Sequence, residues 1–376
     1  MSPAFRRLLL KRKPPEGGTQ NPSCASIMRF KPNTFLIFAL LIVLLVFAII
    51  AGISFGSANI PPSIVSRVLL SKVLPDGWIN ISDINETDFV VIWLIRTPRV
   101  LVAAFVGAGL AIAGAQMQGL FKNPLASPDI VGTSAGGSFG AVLAIALGFA
   151  SRSIFYLPLF AFIGSLGSLF IVYQIATQRG RTPTATLLLT GIALSSLIGA
   201  ATSLVISLKF YSYEVAVQIL FWMMGGLDSR TWIHVFMIAP FVIIGSVIAG
   251  VFLRELDLML LGEEAAESLG VEIETTKRII LTGAALITGA AVAVSGIIGF
   301  VGLVVPHIVR LLLGPSHKRL IPASAFVGAT FLIMADLIAR TLIKPEEIRL
   351  GIITASIGAP FFLYLLLKHK KESITL

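Results

Sequence analysis

Long apolar segments recur along the whole chain, and short stretches with charged residues, prolines and glycines separate them. Within each segment the apolar residues are continuous, without the alternation with polar residues that transmembrane β-strands show. Most segments have the roughly 20 residues that an α-helix needs to cross the hydrocarbon core of a bilayer. The pattern predicts an all-α, polytopic helical membrane protein with about ten transmembrane helices. The predicted spans lie near residues 34–56, 97–120, 127–149, 154–176, 184–208, 231–253, 276–296, 298–313, 320–341 and 351–368.

The composition agrees with a membrane protein. Hydrophobic residues make up 56% of the chain and charged residues only 13%, whereas soluble domains have about 25% charged residues. We attribute the net charge of +10 to the positive-inside bias of membrane proteins rather than to nucleic-acid binding. An even number of spans places both termini on one side, and lysine and arginine are more frequent on that side. Both termini are therefore predicted to be cytoplasmic.

The N-terminal segment before the first span is basic and contains several prolines. A cleaved signal peptide or an organelle transit peptide is an alternative, but the tail and the apolar run after it are both long. We therefore favour an uncleaved first span behind a cytoplasmic tail. The predicted organisation is a basic tail over residues 1–33, a transmembrane domain over 34–368 with a cytoplasmic loop at 254–275, and a C-terminal tail over 369–376.

The cytoplasmic loop 254–275 is acidic, with seven of the 19 acidic residues of the chain. Gly262 and Gly270 are helix-stop signals on either side of Glu263–Glu267, and that short segment is predicted to be helical. A short amphipathic helix between two spans offers a soluble partner a surface to bind. The alternative is a solvated acidic loop without a partner.

Several charges lie at span ends on the predicted outer side, where the positive-inside rule disfavours them. Arg96 and Arg99 flank Pro98 at the start of the second span, and a proline in the first turn suits a helix start. These arginines either anchor the helix at lipid headgroups or donate forked hydrogen bonds to carboxylates of a partner. Asp336 and Arg340 are four residues apart on one helix face, which favours an intrahelical ion pair over a proton-coupling role for Asp336.

Small residues at a spacing of four predict close helix packing, as in other membrane helices. Two such stripes stand out: Gly107, Ala111 and Ala115, and Gly132, Gly136 and Gly140.

Motifs for enzymatic chemistry are weak. The segment Gly132–Gly136 fits the G-x-S-x-G pattern around Ser134, but it lies at the start of an apolar span and not between a strand and a helix. The chain has no G-x-x-x-x-G-K-[ST] motif, so it lacks the usual ATP-binding loop. Its single cysteine and four scattered histidines show no metal-ligand spacing. We expect no catalytic, cofactor-binding or metal-binding residue in the chain.

An ordered series of motifs over about residues 36–368 resembles the permease subunits of ABC importers for iron–siderophores, cobalamin and heme. The motifs are RTPR at 96–99, GAQMQ at 114–118, NPLA at 123–126, WMMGG at 222–226, LGEE at 261–264 with SLG at 268–270, GFVGLVVPH at 299–307, ADLIAR at 335–340, GIITA at 351–355 and GAP at 358–360. The long basic N-terminal tail departs from the usual pattern of the family.

The resemblance implies a type II ABC importer permease with ten helices, paired with a second identical or related permease subunit in a cytoplasmic membrane. Two ATPase subunits, with ATP and magnesium, would bind on the inside, and a substrate-binding protein would bind on the outside. An Fe(III)-siderophore is the expected cargo, with cobalamin or heme as the alternative. Affinity for the cargo would reside in the binding protein rather than in this chain.

The resemblance also implies roles for individual residues. The loop that couples to the ATPase subunits matches Leu261, Gly262, Glu263, Glu264, Ser268, Leu269 and Gly270. The contacts with the binding protein match Arg96, Arg99 and Arg340. The pathway lies mainly along spans 5 and 10, where the small and hydroxyl residues are Thr190, Ser195, Ser196, Thr202, Ser203, Thr354 and Ser356.

Two other function classes remain as alternatives. A stand-alone secondary transporter would depend on an intramembrane carboxylate such as Asp336. An intramembrane hydrolase would depend on Ser134 as its nucleophile.

Overall fold

The computed structural model describes residues 34–56, 60–75, 77–209, 212–343 and 346–374. The chain divides into two units, Met1–Phe38 and Ala39–Leu376. Of the first unit only residues 34–38, the start of a helix, are described, so the predicted basic tail at 1–33 lies outside the described residues.

Helices and the turns between them make up the described residues, with no β-strand among them. In chain order the helices are α1 (Thr34–Ser54), α2 (Pro62–Val73), α3 (Glu86–Val90), α4 (Thr97–Leu120), α5 (Thr133–Ala146), α6 (Tyr156–Ala176), α7 (Thr184–Lys209), α8 (Tyr213–Met223), α9 (Trp232–Val251), α10 (Leu253–Met259), α11 (Glu263–Ser268), α12 (Ile273–Ser295), α13 (Val301–Leu313), α14 (His317–Ala339) and α15 (Leu350–Ile374). A π-helical stretch, Val91–Arg96, joins α3 to α4, and a 3₁₀ turn, Pro128–Val131, precedes α5.

The ten predicted spans correspond to helices of this structure, which confirms the all-α membrane fold. Seven of the described helical segments are long and apolar enough to cross a membrane: α1, α3 with α4, α6, α7, α9, α12 and α14. The other three predicted spans match the shorter apolar helices α5, α13 and α15. The additional apolar helix α8 has only 11 residues, and it lies in the connection between α7 and α9.

The second span begins earlier than the sequence predicts. Its helix starts at Glu86 and continues through the π-helical stretch into α4, so Pro98 lies inside a helix and not at its start. In the π-helical pattern the N–H of Thr97 bonds to the carbonyl of Ile92, five residues earlier. Pro98 has no N–H, so it cannot form the next bond of this pattern, to the carbonyl of Trp93. The indole N–H of Trp232 donates to the Trp93 carbonyl instead, at 2.9 Å, and this tertiary contact lets the helix pass the proline.

The core consists of α4 and α12, with α14 packed along α4 and α6 packed along α5. Gly107 and Gly328 permit the close approach of α4 and α14, because a Cβ on Gly107 would overlap the carbonyl oxygen of Gly328. Gly136 of α5 meets Gly164 of α6 in the same way. The predicted role of the small-residue stripes in helix packing is therefore confirmed at these crossings.

Helix α7 is covered much less than the core helices. In the most apolar 18-residue stretch of α7 only 11% is buried, against 78% in the corresponding stretch of α12. Large apolar side chains such as Leu189, Leu197 and Leu204 are exposed on it. A face of this kind in a membrane protein contacts lipid or another polypeptide.

Candidate functional site

The predicted coupling loop contains two short helices, α10 and α11, between α9 and α12. Helix α11 begins after Gly262, whose φ is +125°, and the chain turns again at Gly270, whose φ is +86°. These backbone conformations favour glycine. The helix and the two glycine boundaries that the sequence predicts are therefore present.

The exposed surface of this loop combines apolar and acidic groups. Leu261 and Leu269 are 68% and 53% exposed. Glu264, which lies between them in the sequence, is also exposed. Ala266, by contrast, is fully buried and fixes α11 against the rest of the protein. A cleft of about 560 Å³ adjoins the loop. Its lining residues include Phe121, Lys122, Thr184, Leu261, Glu263 and Glu264.

Glu263 is directed into the protein, unlike Glu264. Its carboxylate accepts hydrogen bonds from Lys277 of α12 and Thr184 of α7, both at 2.9 Å. Partial burial raises the pKa of the Glu263 carboxyl, but the hydrogen bonds from Lys277 and Thr184 outweigh this effect, and the pKa lies below its ordinary value. Glu263 thus connects α11 to two spans, a role that the loop sequence alone does not indicate.

A second connection joins the loop to α14. Asp257 of α10 accepts hydrogen bonds from the backbone N–H of His317 at 2.8 Å and from the hydroxyl of Ser316 at 3.0 Å. The Nδ1 atom of the buried His317 ring lies 2.6 Å from the same carboxylate. Sequence analysis does not identify this pair, because the partners are 60 residues apart and neither belongs to a local pattern.

At the opposite end of the spans, Arg96 and Arg340 hold the C-terminal end of α1. The Nη1 atom of Arg96 donates to the carbonyls of Ile53 and Ser54, at 2.7 and 3.0 Å. Arg340 donates to the carbonyls of Phe55 and Gly52. The last carbonyls of a helix lack intrahelical partners, so cationic side chains satisfy them well. Both arginines are under 10% exposed, and their predicted contact with a binding protein stays a prediction.

Arg99 lies in a network of carboxylates. Its guanidinium forms a bidentate pair with Asp336, with Nη2 to Oδ1 at 2.8 Å, and a second pair with Glu347 at 2.9 and 3.1 Å. Asp336 also lies 3.2 Å from Nε of Arg340, so the predicted intrahelical ion pair is confirmed. Asp336 is only 1% exposed and is held by two arginines.

Two acidic residues that the sequence analysis did not select complete this cluster, which we call the outer cluster after the membrane side that the sequence predicts for it. Asp228 pairs with Arg349 and lies 3.9 Å from Arg99. The side chains of Asp228 and Glu347 are 41% and 38% exposed. The surface near Arg99 therefore presents carboxylates as well as guanidinium groups, and these acidic residues are the more accessible ones.

The predicted pathway residues differ in exposure. Ser196, Ser203 and Ser356 are exposed, Thr190 and Ser195 are half-buried, and Thr202 and Thr354 are buried. The hydroxyls of Ser196, Thr202, Ser203 and Thr354 bond to carbonyls of their own helices. Thr202 and Ser203 line a cavity of about 270 Å³ between α5, α7 and α8. Their role in lining a pathway stays a prediction.

Ser134 lies at the start of α5, where its hydroxyl donates to the carboxylate of Asp129. The segment before it is the 3₁₀ turn Pro128–Val131, and the described residues contain no strand from which a nucleophile elbow could form. The G-x-S-x-G match therefore lacks the backbone context that the hydrolase mechanism needs.

Comparisons with known proteins agree with this architecture. The model of the FecCD transport family matches residues 44–368. The cobalamin import system permease protein BtuC of Halobacterium salinarum is 48% identical over 283 residues, which are 75% of this chain and 75% of that protein. The Fe(3+)-citrate import system permease protein YfmD of Bacillus subtilis is 38% identical over 345 residues, 92% of this chain and 98% of that protein.

The hemin transport system permease protein HmuU of Yersinia pestis is 41% identical over 287 residues, 75% of this chain and 84% of that protein. A solved structure described as an inward-facing conformation of a metal-chelate type ABC transporter superposes with a TM-score of 0.76 at 32% identity. The match covers 89% of this chain and 99% of that one. The chain therefore belongs to the FecCD transport family and has the fold of an ABC transporter permease.

Proposed function

We propose that this chain is the membrane permease of an ATP-driven importer for a metal chelate delivered by an extracytoplasmic binding protein. The observation that supports the proposal most directly is the glycine-bounded helix α11, whose exposed residues lie beside an open cleft while Glu263 bonds to two spans. A loop without a partner has no need of such a connection to the spans.

The ATPase partners would contact the exposed residues of this loop. Leu261 and Leu269 supply apolar contacts, and Glu264 supplies charge. The sequence contains no Walker A motif, so ATP would be hydrolysed by the partner subunits. A push on α11 would be transmitted through Glu263 to Thr184 of α7 and Lys277 of α12. Rigid-body movement of these spans would then open the pathway to one side at a time.

A second permease subunit would cover the exposed face of α7. Ser196 and Ser203 are exposed on that helix together with apolar side chains, so this surface combines packing residues with small polar groups. A pathway between two such faces suits a bulky hydrophilic chelate, because small hydroxyl side chains leave space and bind weakly.

The outer cluster would bind the substrate-binding protein. Arg99 is the central residue of this cluster, and Asp228, Glu347 and Arg349 form its more accessible rim. The guanidinium groups of Arg96 and Arg340 now bond to carbonyls at the end of α1. To contact the binding protein, they would have to release these carbonyls and bind carboxylates of the partner instead.

Two cargos follow from different observations. An Fe(III)-siderophore agrees with the iron-citrate permease that matches 92% of this chain. Cobalamin agrees with the more identical relative, the cobalamin permease at 48%. Uptake of radiolabelled cobalamin and of a radiolabelled iron–siderophore, measured with the full importer in proteoliposomes, distinguishes the two.

The decisive experiment compares Glu264→Lys with Glu86→Lys in the complete transporter. We expect Glu264→Lys to weaken ATPase binding and lower chelate-stimulated ATP hydrolysis, whereas the same charge reversal at Glu86, which is exposed at the start of α3 and outside the loop, leaves ATPase binding near the wild-type level. Uptake that continues without any ATPase subunit contradicts the proposal and favours a secondary transporter.

A further inference from the structure

Arg230, just before α9, has an unusual environment for a cation at the end of a membrane span. Its Nε atom is buried and has no hydrogen-bond partner in the described part of the chain. Asp228 is the nearest carboxylate and its charge acts on Arg230, but it pairs with Arg349, and no described carboxylate lies within 4.0 Å of the Arg230 guanidinium. A partly buried guanidinium without a directly paired carboxylate is suited to an external anion.

Other hydrogen-bond donors surround the same space. Arg230 lines a cavity of about 260 Å³ together with Trp222, Gln218 and His234. The indole N–H of Trp222 is buried there and also has no partner among the described residues. No acidic residue lines this cavity, although Asp228 lines a neighbouring cavity that Arg230 and Trp222 also border. Its polar wall therefore offers donors and positive charge, which is the chemistry that binds a phosphate oxygen.

An apolar groove continues from this cavity. A second cavity of about 230 Å³ lies between α6, α9 and α12, and Pro158 and Ala293 line both spaces. Its wall is entirely apolar: Phe155, Pro158, Leu159, Phe162, Met237, Phe241, Ala290, Ala293 and Val294. The rings of Phe162 and Phe241 are 4.6 Å apart between centroids. Exposed apolar side chains such as Ile163 and Phe236 flank this region on the surface of the same helices.

The spacing between the polar and apolar parts matches one leaflet of a bilayer. Phe241 lies nine residues after Trp232, the first residue of α9, and a helical rise of 1.5 Å per residue gives about 14 Å along the helix, with Arg230 two residues before its start. Half of the hydrocarbon core measures about 15 Å. A ligand that filled both spaces would have an anionic head at the end of α9 and an apolar chain about one leaflet long.

We propose that these two adjoining cavities form one crevice that binds an anionic phospholipid from the leaflet opposite the coupling loop, with its phosphate at Arg230 and one acyl chain between α6 and α9. The proposal requires only that the chain spans a membrane, so it does not depend on the cargo or on the partner subunits. The donors of Arg230 and Trp222 supply the charge complementarity, and the aromatic groove supplies the apolar contact area.

Native mass spectrometry of the purified full chain, titrated with phosphatidylglycerol or phosphatidylcholine, tests the proposal. We expect the wild type to prefer phosphatidylglycerol, and Arg230→Gln to weaken that binding about tenfold, the effect of one charge-assisted hydrogen bond. Arg319→Gln is the matched control, because Arg319 is exposed at the start of α14, at the end of the spans that contacts the loop and not the crevice. Equal binding of the two lipids by the wild type contradicts the proposal, as does an equal loss in both variants.

A second variant keeps the proposal testable if Arg230→Gln does not fold. Ala293→Leu narrows the junction of the two cavities while leaving Arg230 in place, and we expect it to weaken phosphatidylglycerol binding as well. Glycerol phosphate, which has the head but no acyl chain, should compete poorly with the lipid. Competition as strong as that of phosphatidylglycerol would identify a simple anion site and overturn the lipid assignment, and preferential binding of a metal chelate would overturn it too.

Discussion

The Nζ atom of Lys277 lies 2.9 Å from Oε2 of Glu263 and also donates to the carbonyl of Thr182, at 2.9 Å. Lys277 belongs to α12 and is only 3% exposed, whereas Glu263 begins α11. One ammonium group thus connects α11, the start of α12 and the segment that leads into α7. The three elements have a common connection through which movement of the loop can act on two spans.

Replacing this ammonium should loosen the loop. We expect Lys277→Met to lower the free energy of unfolding by roughly 1–3 kcal/mol, because the partly exposed Glu263 carboxylate loses a charged hydrogen bond but can still be hydrated. Lys318→Met, at an exposed position, serves as the control. Thermal unfolding in detergent measures both, and equal melting temperatures for the two variants would contradict the role of Lys277.

The same pair predicts a pH dependence. The pKa of Glu263 in the folded protein lies below its ordinary value of 4.5. Such a carboxylate stabilises the fold above the unfolded-state pKa, and that contribution is lost as the pH falls through the folded-state pKa. Below about pH 5 the stability of the wild type should therefore fall more steeply than that of Lys277→Met. Denaturation in detergent over a pH series measures the difference, and parallel curves would refute it.

The indole of Trp232 provides a second test. Trp232→Phe removes the indole donor to the Trp93 carbonyl, to which Pro98 has no N–H to donate, and a buried unsatisfied group costs about 1–3 kcal/mol. Trp222→Phe is the matched control in detergent, because the Trp222 N–H has no acceptor in the described part of the chain. We expect a lower melting temperature for Trp232→Phe alone.

Asp336 separates two functional hypotheses. Asp336→Asn leaves Arg99 and Arg340 with a neutral amide in place of a buried carboxylate, and breaking a buried ion pair typically costs about 3–5 kcal/mol. Asp83→Asn, in an exposed pair with Arg67, should change stability little. If Asp336 is structural, folded Asp336→Asn protein still transports with ATP. Selective loss of transport at unchanged melting temperature would instead favour a proton-coupled carrier.

The crossing of α4 and α14 should tolerate no side chain at Gly107. A Cβ there overlaps the Gly328 carbonyl oxygen, so Gly107→Ala forces the helices apart at a cost of about 1–3 kcal/mol. Gly250→Ala in α9 is the control, because its added Cβ has no contact within 4 Å besides its chain neighbours and the backbone of its own helix. The melting temperature and the yield of folded protein in detergent measure the effect. Equal values for the two variants would rule out a tight crossing.

The sequence by itself determined the helices and the glycine boundaries of α11. Continuous apolar runs must form helices in lipid, since backbone groups there need internal partners. Gly262 and Gly270 then bound α11 through local backbone preferences. These features depend on residues close together in the chain, so their positions could be predicted.

Only the tertiary structure decided which polar side chains meet. Arg99 and Asp336 are 237 residues apart, and Arg96 bonds to carbonyls of α1 that no motif marks. The helix through Pro98 likewise starts at Glu86 and not at Thr97, because Trp232 of another span satisfies the Trp93 carbonyl. Such partners depend on which helices pack together, and the packing is decided by side-chain shape between distant segments rather than by the local apolar pattern.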